Sequence, residues 1–518
     1  MNFSTAYIMR STLVLFAVLL LATNTSSLYA QTTWTGNLNN DWNNAGNWSA
    51  GVPSAADDVT IPSTTKDPGI SVAGAVAKSV TVLVDGRLAV SFAGTLTING
   101  ATTQGILNQG IIVNSGSIIV GNTSAVGPTG IRNEYLITNQ FGGQIQVERA
   151  TATGIYLTAT AFINNDGTIG VGATVASGST GIYNAGAFTN NEAGQVYIDR
   201  VSEGLENTGT TGLFNNFGTL SIGSKVGGSN IPYGISNHAP FNNKTTGQVH
   251  INRVTKGINT GTSTFNNDGT VTIGALTSVT ELISADETGM FNNKTAGTFN
   301  GTGMIAAARF TNIGGTLSPG YSPGKITFNA SENFDSSMME IEVNGTGTAG
   351  VNYDQVAVTG TATLGGKLAV SVNYTPANGN QVTIVSATAI SGTFSSVTGL
   401  PAFWRVTYTA TAVILVYDLT NTWTGAISNN WSTAGNWSAG TVPTATINVV
   451  IPNVTNDPII TTTGAVARTI HVKPGASLTL NATGNLTTSG VQNFNGVNAG
   501  LYNQGTVTIK GPLMVKPN

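Results

Sequence analysis

From about residue 105 the chain is written in short alternating stretches. Gly194-Gln195-Val196-Tyr197-Ile198-Asp199 and Gly269-Thr270-Val271-Thr272-Ile273-Gly274 place apolar residues at every second position, between corners of Gly and Asn. Period two is the signature of strands with one buried face, and apolar residues at helical spacing are nearly absent. One phrase recurs: Gly-apolar, a few residues, Phe or a substitute, Asn-Asn, two residues, then Gly and an alternating strand. It starts at Gly105, Gly130, Gly154, Gly181, Gly204, Gly234, Gly257 and Gly289, with spacings of 25, 24, 27, 23, 30, 23 and 32 residues. Periods of this length predict a solenoid, in which each unit buries its apolar face only by stacking on the next. The expected fold is all-β: a right-handed parallel β-helix (β-solenoid) with β-rich capping modules and coils ~4.8 Å apart.

Two polar rows follow from that stacking. The pairs Asn164-Asn165, Asn190-Asn191, Asn215-Asn216, Asn242-Asn243, Asn266-Asn267 and Asn292-Asn293 recur at one place in successive units. Asn tolerates left-handed backbone at corners, and its amide can bond from coil to coil, so a structural ladder is expected rather than a polar binding ridge. Alternate units end in Arg149, Arg200 and Arg253, each closing a Gln-apolar-x-apolar-x-Arg strand. These cations would align on every second coil, ~10 Å apart. They are the candidate ligand-facing row, suited to a polyanionic glycan. The plainer reading pairs each with a neighbouring acid or with corner carbonyls.

A duplication frames the repeats. Thr33-Trp34-Thr35-Gly36, Asp41-Trp42 and Gly46-Asn47-Trp48-Ser49 return as Thr422-Trp423-Thr424-Gly425, Asn430-Trp431 and Gly435-Asn436-Trp437-Ser438. Trp34, Trp42, Trp48 and Trp423, Trp431, Trp437 keep the same spacing in both copies, so the indoles either cap an open solenoid end or form a glycan platform. The neighbouring pair Asp57-Asp58 is not retained, the second copy reading Thr446-Ile447-Asn448. The resulting division is 1–30 leader, 31–100 Trp-containing module with the first coils, 101–313 repeat helix, 314–419 a distinct β region, and 420–518 a second module that stops early.

Residues 314–419 open with Leu317-Ser318-Pro319-Gly320-Tyr321-Ser322-Pro323-Gly324 and run through Tyr353-Asp354-Gln355 to strands at Trp404–Tyr408 and Val413–Tyr417. This resembles the C-terminal passenger region of autotransporter-type adhesins, and the Trp module resembles one in secreted repeat proteins of gliding Gram-negative bacteria. The resemblance implies a pectin-lyase-like β-helix on a cell surface. An autotransporter would continue into an outer-membrane barrel and a sorted protein into a terminal domain; this chain ends in a half-module, which reads as a fragment of a longer protein.

Arg10 followed by the apolar run Leu13 to Ala22 and then Leu28-Tyr29-Ala30 reads as a secretory signal, too short to span a bilayer. Without it the balance is 19 basic against 23 acidic residues, which is no footprint for nucleic acid or anionic lipid. The absence of cysteine excludes disulfides and thiolate sites. Polysaccharide cleavage needs converging carboxylates, and here the acids are scattered. Asp199, Arg200 and Glu203, or Glu281, Asp286 and Glu287, are the groupings to check, while His238, His250 and His471 are too dispersed for a metal or a triad. Thr168, Thr219 and Thr270 align on alternate coils only, a poor ice-binding array. The expectation is a secreted, non-catalytic structural and adhesive solenoid without cofactor or membrane insertion. Its partners would be surface glycans or other cell-surface proteins, met through loops such as Gly223 to Tyr233; glycan binding or cleavage is the alternative.

Overall fold

The computed structural model describes residues 31–225, 231–276, 279–284, 286–321 and 323–515. The leader at 1–30, the middle of the Gly223–Tyr233 loop, Ser322 and the terminal Lys516-Pro517-Asn518 lie outside the described residues. The chain forms two compact units that divide between Asn292 and Asn293.

The first unit is a parallel β-helix with three strands per coil. A representative coil runs Thr180–Asn184 on the first face, Ala187–Asn190 on the second and Gln195–Ile198 on the third. Each strand pairs in parallel with the equivalent strand one coil away, and the pairing holds register: Ile182 opposes Leu205, Phe188 opposes Phe214, and Val196 opposes Leu220. Alternation then does the sorting. In Gln195–Ile198 the Val and Ile are buried and the Gln and Tyr are not.

Stacking turns one inward position into an aromatic column. Ile112, Ile137 and Ile163 are followed in register by Phe188, Phe214, Phe241, Phe265 and Phe291. The rings stack at centroid distances of 4.7, 4.8, 4.2 and 4.9 Å. Each is fully buried, so one column supplies a continuous apolar core of near-parallel stacked rings.

The Asn rows are a ladder, but not of the expected backbone. Asn114, Asn139, Asn165, Asn190, Asn216, Asn243 and Asn267 close the second-face strands, and all are fully buried. Each Nδ2 donates to the next Oδ1, at 2.7 to 2.8 Å, from Asn114 through to Asn267. The outward Asn column runs the other way: Asn242 donates to Asn215, Asn266 to Asn242, and Asn292 to Asn266. The pair Asn190-Asn191 is offset by one, since Asn190 aligns with Asn165 and Asn216. None of these asparagines is left-handed. The left-handed position that recurs from coil to coil falls instead on Arg149, Arg200 and Arg253, with φ near 51°. The ladder therefore rests on strand-end amides, because a strand end already points its side chain into the corner.

The Trp motif is the first coil itself. Gln31–Thr33 pairs in parallel with Asp58–Ile61, adding a strand to the first face, and the single bridge Asp41 to Gly69 begins the second. Between them Trp34 and Trp48 form an antiparallel bridge.

In the second unit, long parallel strands continue through Met338–Val343, Gln355–Leu364 and Lys367–Val372. Antiparallel strands Trp404–Tyr408 and Ala412–Tyr417 then pair against Gln381–Ser391. The Pro-Gly motif is pinned by Asp354, whose carboxylate accepts from Gly324 N at 2.6 Å and from Glu342 N at 2.8 Å. Glycine is required in the turn, since a Cβ on Gly320, at φ +74°, would lie 2.3 Å from Gly324 Cα. From Thr420 the parallel coils resume, with Trp423, Trp431 and Trp437 in a core cluster beside Val449, Ile451 and Ile470.

Candidate functional site

The six tryptophans sit inside. Trp34, Trp42 and Trp48 are 1%, 0% and 5% exposed, and Trp423, Trp431 and Trp437 are 0%, 1% and 3% exposed. Trp48 packs edge-to-face on Trp34 and Trp42 at 5.0 and 4.7 Å, and Trp437 does the same with Trp423 and Trp431. Trp34 donates to Lys66 O at 2.6 Å and Trp48 to Trp42 O at 2.7 Å. None of the six indoles presents an open ring face to solvent, and each trio packs into the coil that begins its stack. Asn47, which the Trp spacing overshadowed, holds the loop: its Oδ1 accepts from Leu38 N and Asn39 N, and its Nδ2 donates to Asp41 O. Asn436 repeats the arrangement with Ile427, Ser428 and Asn430. Trp42→Ala should cost about 3–5 kcal/mol, as large core truncations do. Hydrogen exchange should then accelerate in Asp58–Ile61 while the Phe column stays protected; unchanged protection would place the indole outside the cap.

The Arg row is built into the coil joints. Arg149 Nη1 donates to Gly121 O at 3.0 Å and to Asn122 O. Arg200 bonds Gly172 O and Ala173 O, and Arg253 bonds Gly223 O and Ser224 O. In each case the carbonyls belong to the loop of the preceding coil. The residue before each Arg reaches the other way. Glu148, 1% exposed, accepts from Thr174 N and Val175 N; Asp199, also 1% exposed, accepts from Lys225 N and Ser224 Oγ; Asn252 accepts from Leu276 N. Each dipeptide thus ties three successive coils together. Gly121, Gly172 and Gly223 make this possible, because a Cβ at any of them would fall within 2 Å of the carbonyl oxygen of residue 148, 199 or 252.

The two acidic groupings are equally committed. Asp199 is held by the Ser224-Lys225 loop, while Glu203 lies near Glu206, whose carboxyl is pushed up by burial and then by the Glu203 charge. Lys256 pairs with Asp286 at 2.8 Å and Glu281 at 3.5 Å, which raises the Lys256 pKa, chiefly through the hydrogen bond to Asp286. Glu287 faces His238 at 3.3 Å. Among the described residues no three His, Asp or Glu side chains come together as a metal cage. Asp58 of the unretained acidic pair bonds Lys78 and Ser79, and in the second copy Asn448 takes the same place against Arg468 and Thr469.

The third face also carries a pattern that sequence reading caught only in part. One column runs Gln144, Thr168, Gln195, Thr219, Gln248, Thr270, so the aligned threonines are separated by glutamines. The next runs Gln146, Gly170, Tyr197, Ser221, His250, Thr272: long and partly exposed on one coil, short and buried on the next. Around Gly170 this opens a cleft of about 290 Å³ between Gln146 and Tyr197, with Gln144, Thr168 and Lys225 at its walls. The signal for it was the alternation of residue size at one register position, visible only once the register is fixed.

Residues 33–152 and 422–509 match the family model of a domain of unknown function, DUF8693, so the match falls on both Trp-containing segments. No curated protein matches the chain. Among solved structures, it is similar to a TibC-catalysed, hyper-glycosylated TibA fragment, at 16% identity over 66% of this chain and 88% of that one, with a TM-score of 0.24.

Proposed function

We propose that the chain is a non-catalytic structural and adhesive solenoid of the extracellular space or cell surface, and that it meets surface glycans or other cell-surface proteins. The observation that supports this reading is the use made of its charged residues. The carboxylates of Glu148 and Asp199 and the guanidinium groups of Arg149, Arg200 and Arg253 are bonded to backbone of adjacent coils, where they stiffen the stack. A cleaving enzyme needs an acid free to move a proton to substrate, and a carboxylate bonded to loop N–H groups is held in place of one. Polar side chains spent on coil-to-coil bonding suit a chain whose task is to stay extended without disulfides.

The test is to treat intact cells expressing the native gene with a membrane-impermeant amine-biotinylating reagent and recover the chain. Labelling before lysis at the level seen after lysis is the expected result. Labelling only after lysis would overturn the surface reading.

A further inference from the structure

We infer that the cleft at Gly170 is a carbohydrate-binding site for an extended, neutral, β-linked glycan lying along the solenoid axis. The starting point is a glycine without a structural reason. Gly170 is in the middle of the strand Thr168–Val171, and the register on both sides is unbroken, so there is no bulge. Its φ is not left-handed, and an added Cβ would touch only the Cβ of Ala173, at 3.7 Å. The inward glycines differ: a Cβ on Gly154 would come 2.3 Å from Val171 Cγ1, and one on Gly181 would come 2.3 Å from Ile198 Cγ2. Packing explains those and does not explain Gly170. A glycine inside a strand weakens it, and it recurs where a ligand must approach closely.

The walls suit a sugar. Tyr197 offers an aromatic face for the C–H side of a pyranose ring, while Gln144, Gln146 and Thr168 offer amide and hydroxyl groups for its hydroxyls. Both walls are set in advance: Tyr197 Oη donates to Gln195 at 2.8 Å, and Gln146 donates to Glu148 at 2.9 Å. Preorganised walls lose little freedom on binding. The long, partly exposed side chains Gln146, Tyr197 and His250 recur every second coil, ~10 Å apart, with the buried Ser221 and Thr272 on the coils after Gly170. A β-1,4-linked chain presents every second sugar in the same orientation, and it can meet successive walls in register.

This rests on the adhesive part of the proposed function, and its failure would leave the surface-labelling result untouched. The test is saturation-transfer NMR on the full chain with cellohexaose, the N-acetylglucosamine hexamer and mannohexaose as probes. At least one should receive saturation. Gly170→Gln, which fills the floor of the cleft with only the Ala173 Cβ in contact with its own, and Tyr197→Ala, which removes a wall, should each weaken binding about tenfold or more, as loss of a well-packed contact does. The melting temperature of Gly170→Gln should not fall. Silence from all three probes, or wild-type binding by Gly170→Gln, would overturn the proposal.

Discussion

Replacing Asn190 with aspartate is expected to destabilise the first unit by about 3–5 kcal/mol at pH 7, the range for an uncompensated buried charge. The Asn190 amide nitrogen donates to Gly194 O, Thr219 O and Asn216 Oδ1, while its oxygen accepts from Asn165 at 2.7 Å. Aspartate keeps the shape and the accepted bond but turns an oxygen toward three acceptors. Asn190→Ala loses the same bonds without adding charge and should cost about 1–3 kcal/mol, the penalty for unsatisfied buried groups. The pH response separates the two. The new carboxyl titrates higher when folded than unfolded, so its deficit is complete above the folded pKa and shrinks as pH falls toward the ordinary value. Denaturant melts at pH 7 and pH 4 should show Asn190→Asp recovering at the lower pH and Asn190→Ala not recovering. Equal behaviour would mean the ladder is solvated rather than dry.

In the second unit the largest effect should come from Glu332. It points inward at the end of a strand that also buries Phe334, and burial pushes its carboxyl up to about 8, with a backbone bond from Asn333 pulling the other way. A raised acid stabilises the fold only while protonated. Its contribution is whole below the ordinary Glu range and is lost as pH climbs from about 4.5 through about 8. The loss is at most about 4–5 kcal/mol, at 1.36 kcal/mol for each unit of pKa difference. Glu332→Gln should match the wild type at pH 5 and melt higher than it at pH 9. Asp354 is raised by burial to about 7 and adds its own decline in the wild type, which the difference between the two proteins cancels. A variant equal to wild type at both pH values would place Glu332 in contact with water.

The fold was largely legible because its two signals are redundant. Alternation at Gln195–Ile198 gives the buried face, and recurrence of the Gly-apolar phrase gives the coil. The candidate site was legible only in outline. Spacing showed that Arg149, Arg200 and Arg253 share a position, and carbonyl bonding was one of two readings for them. Spacing could not show that the residue before each Arg reaches to the following coil, since that depends on where a loop of variable length passes. The Asn backbone was misread for a similar reason: Asn tolerates left-handed corners, yet a strand end already aims its amide inward, and the strained corner fell to Arg. Trp spacing is identical in a cap and in a platform, and only burial separates them. Gly170 looked like any other glycine until register set it between Gln146 and Tyr197.

The most direct measurement is product release from a panel of plant, algal and bacterial polysaccharides, read as new reducing ends and as unsaturated products. It is made on the wild type and on Asp199→Asn and Glu148→Gln, with melting curves for all three. If these carboxylates serve the coil joints, the wild type releases nothing above the no-protein control, and both variants melt at lower temperature. Release by the wild type that Asp199→Asn abolishes while its melting curve stays in place would contradict the account and make this solenoid an enzyme.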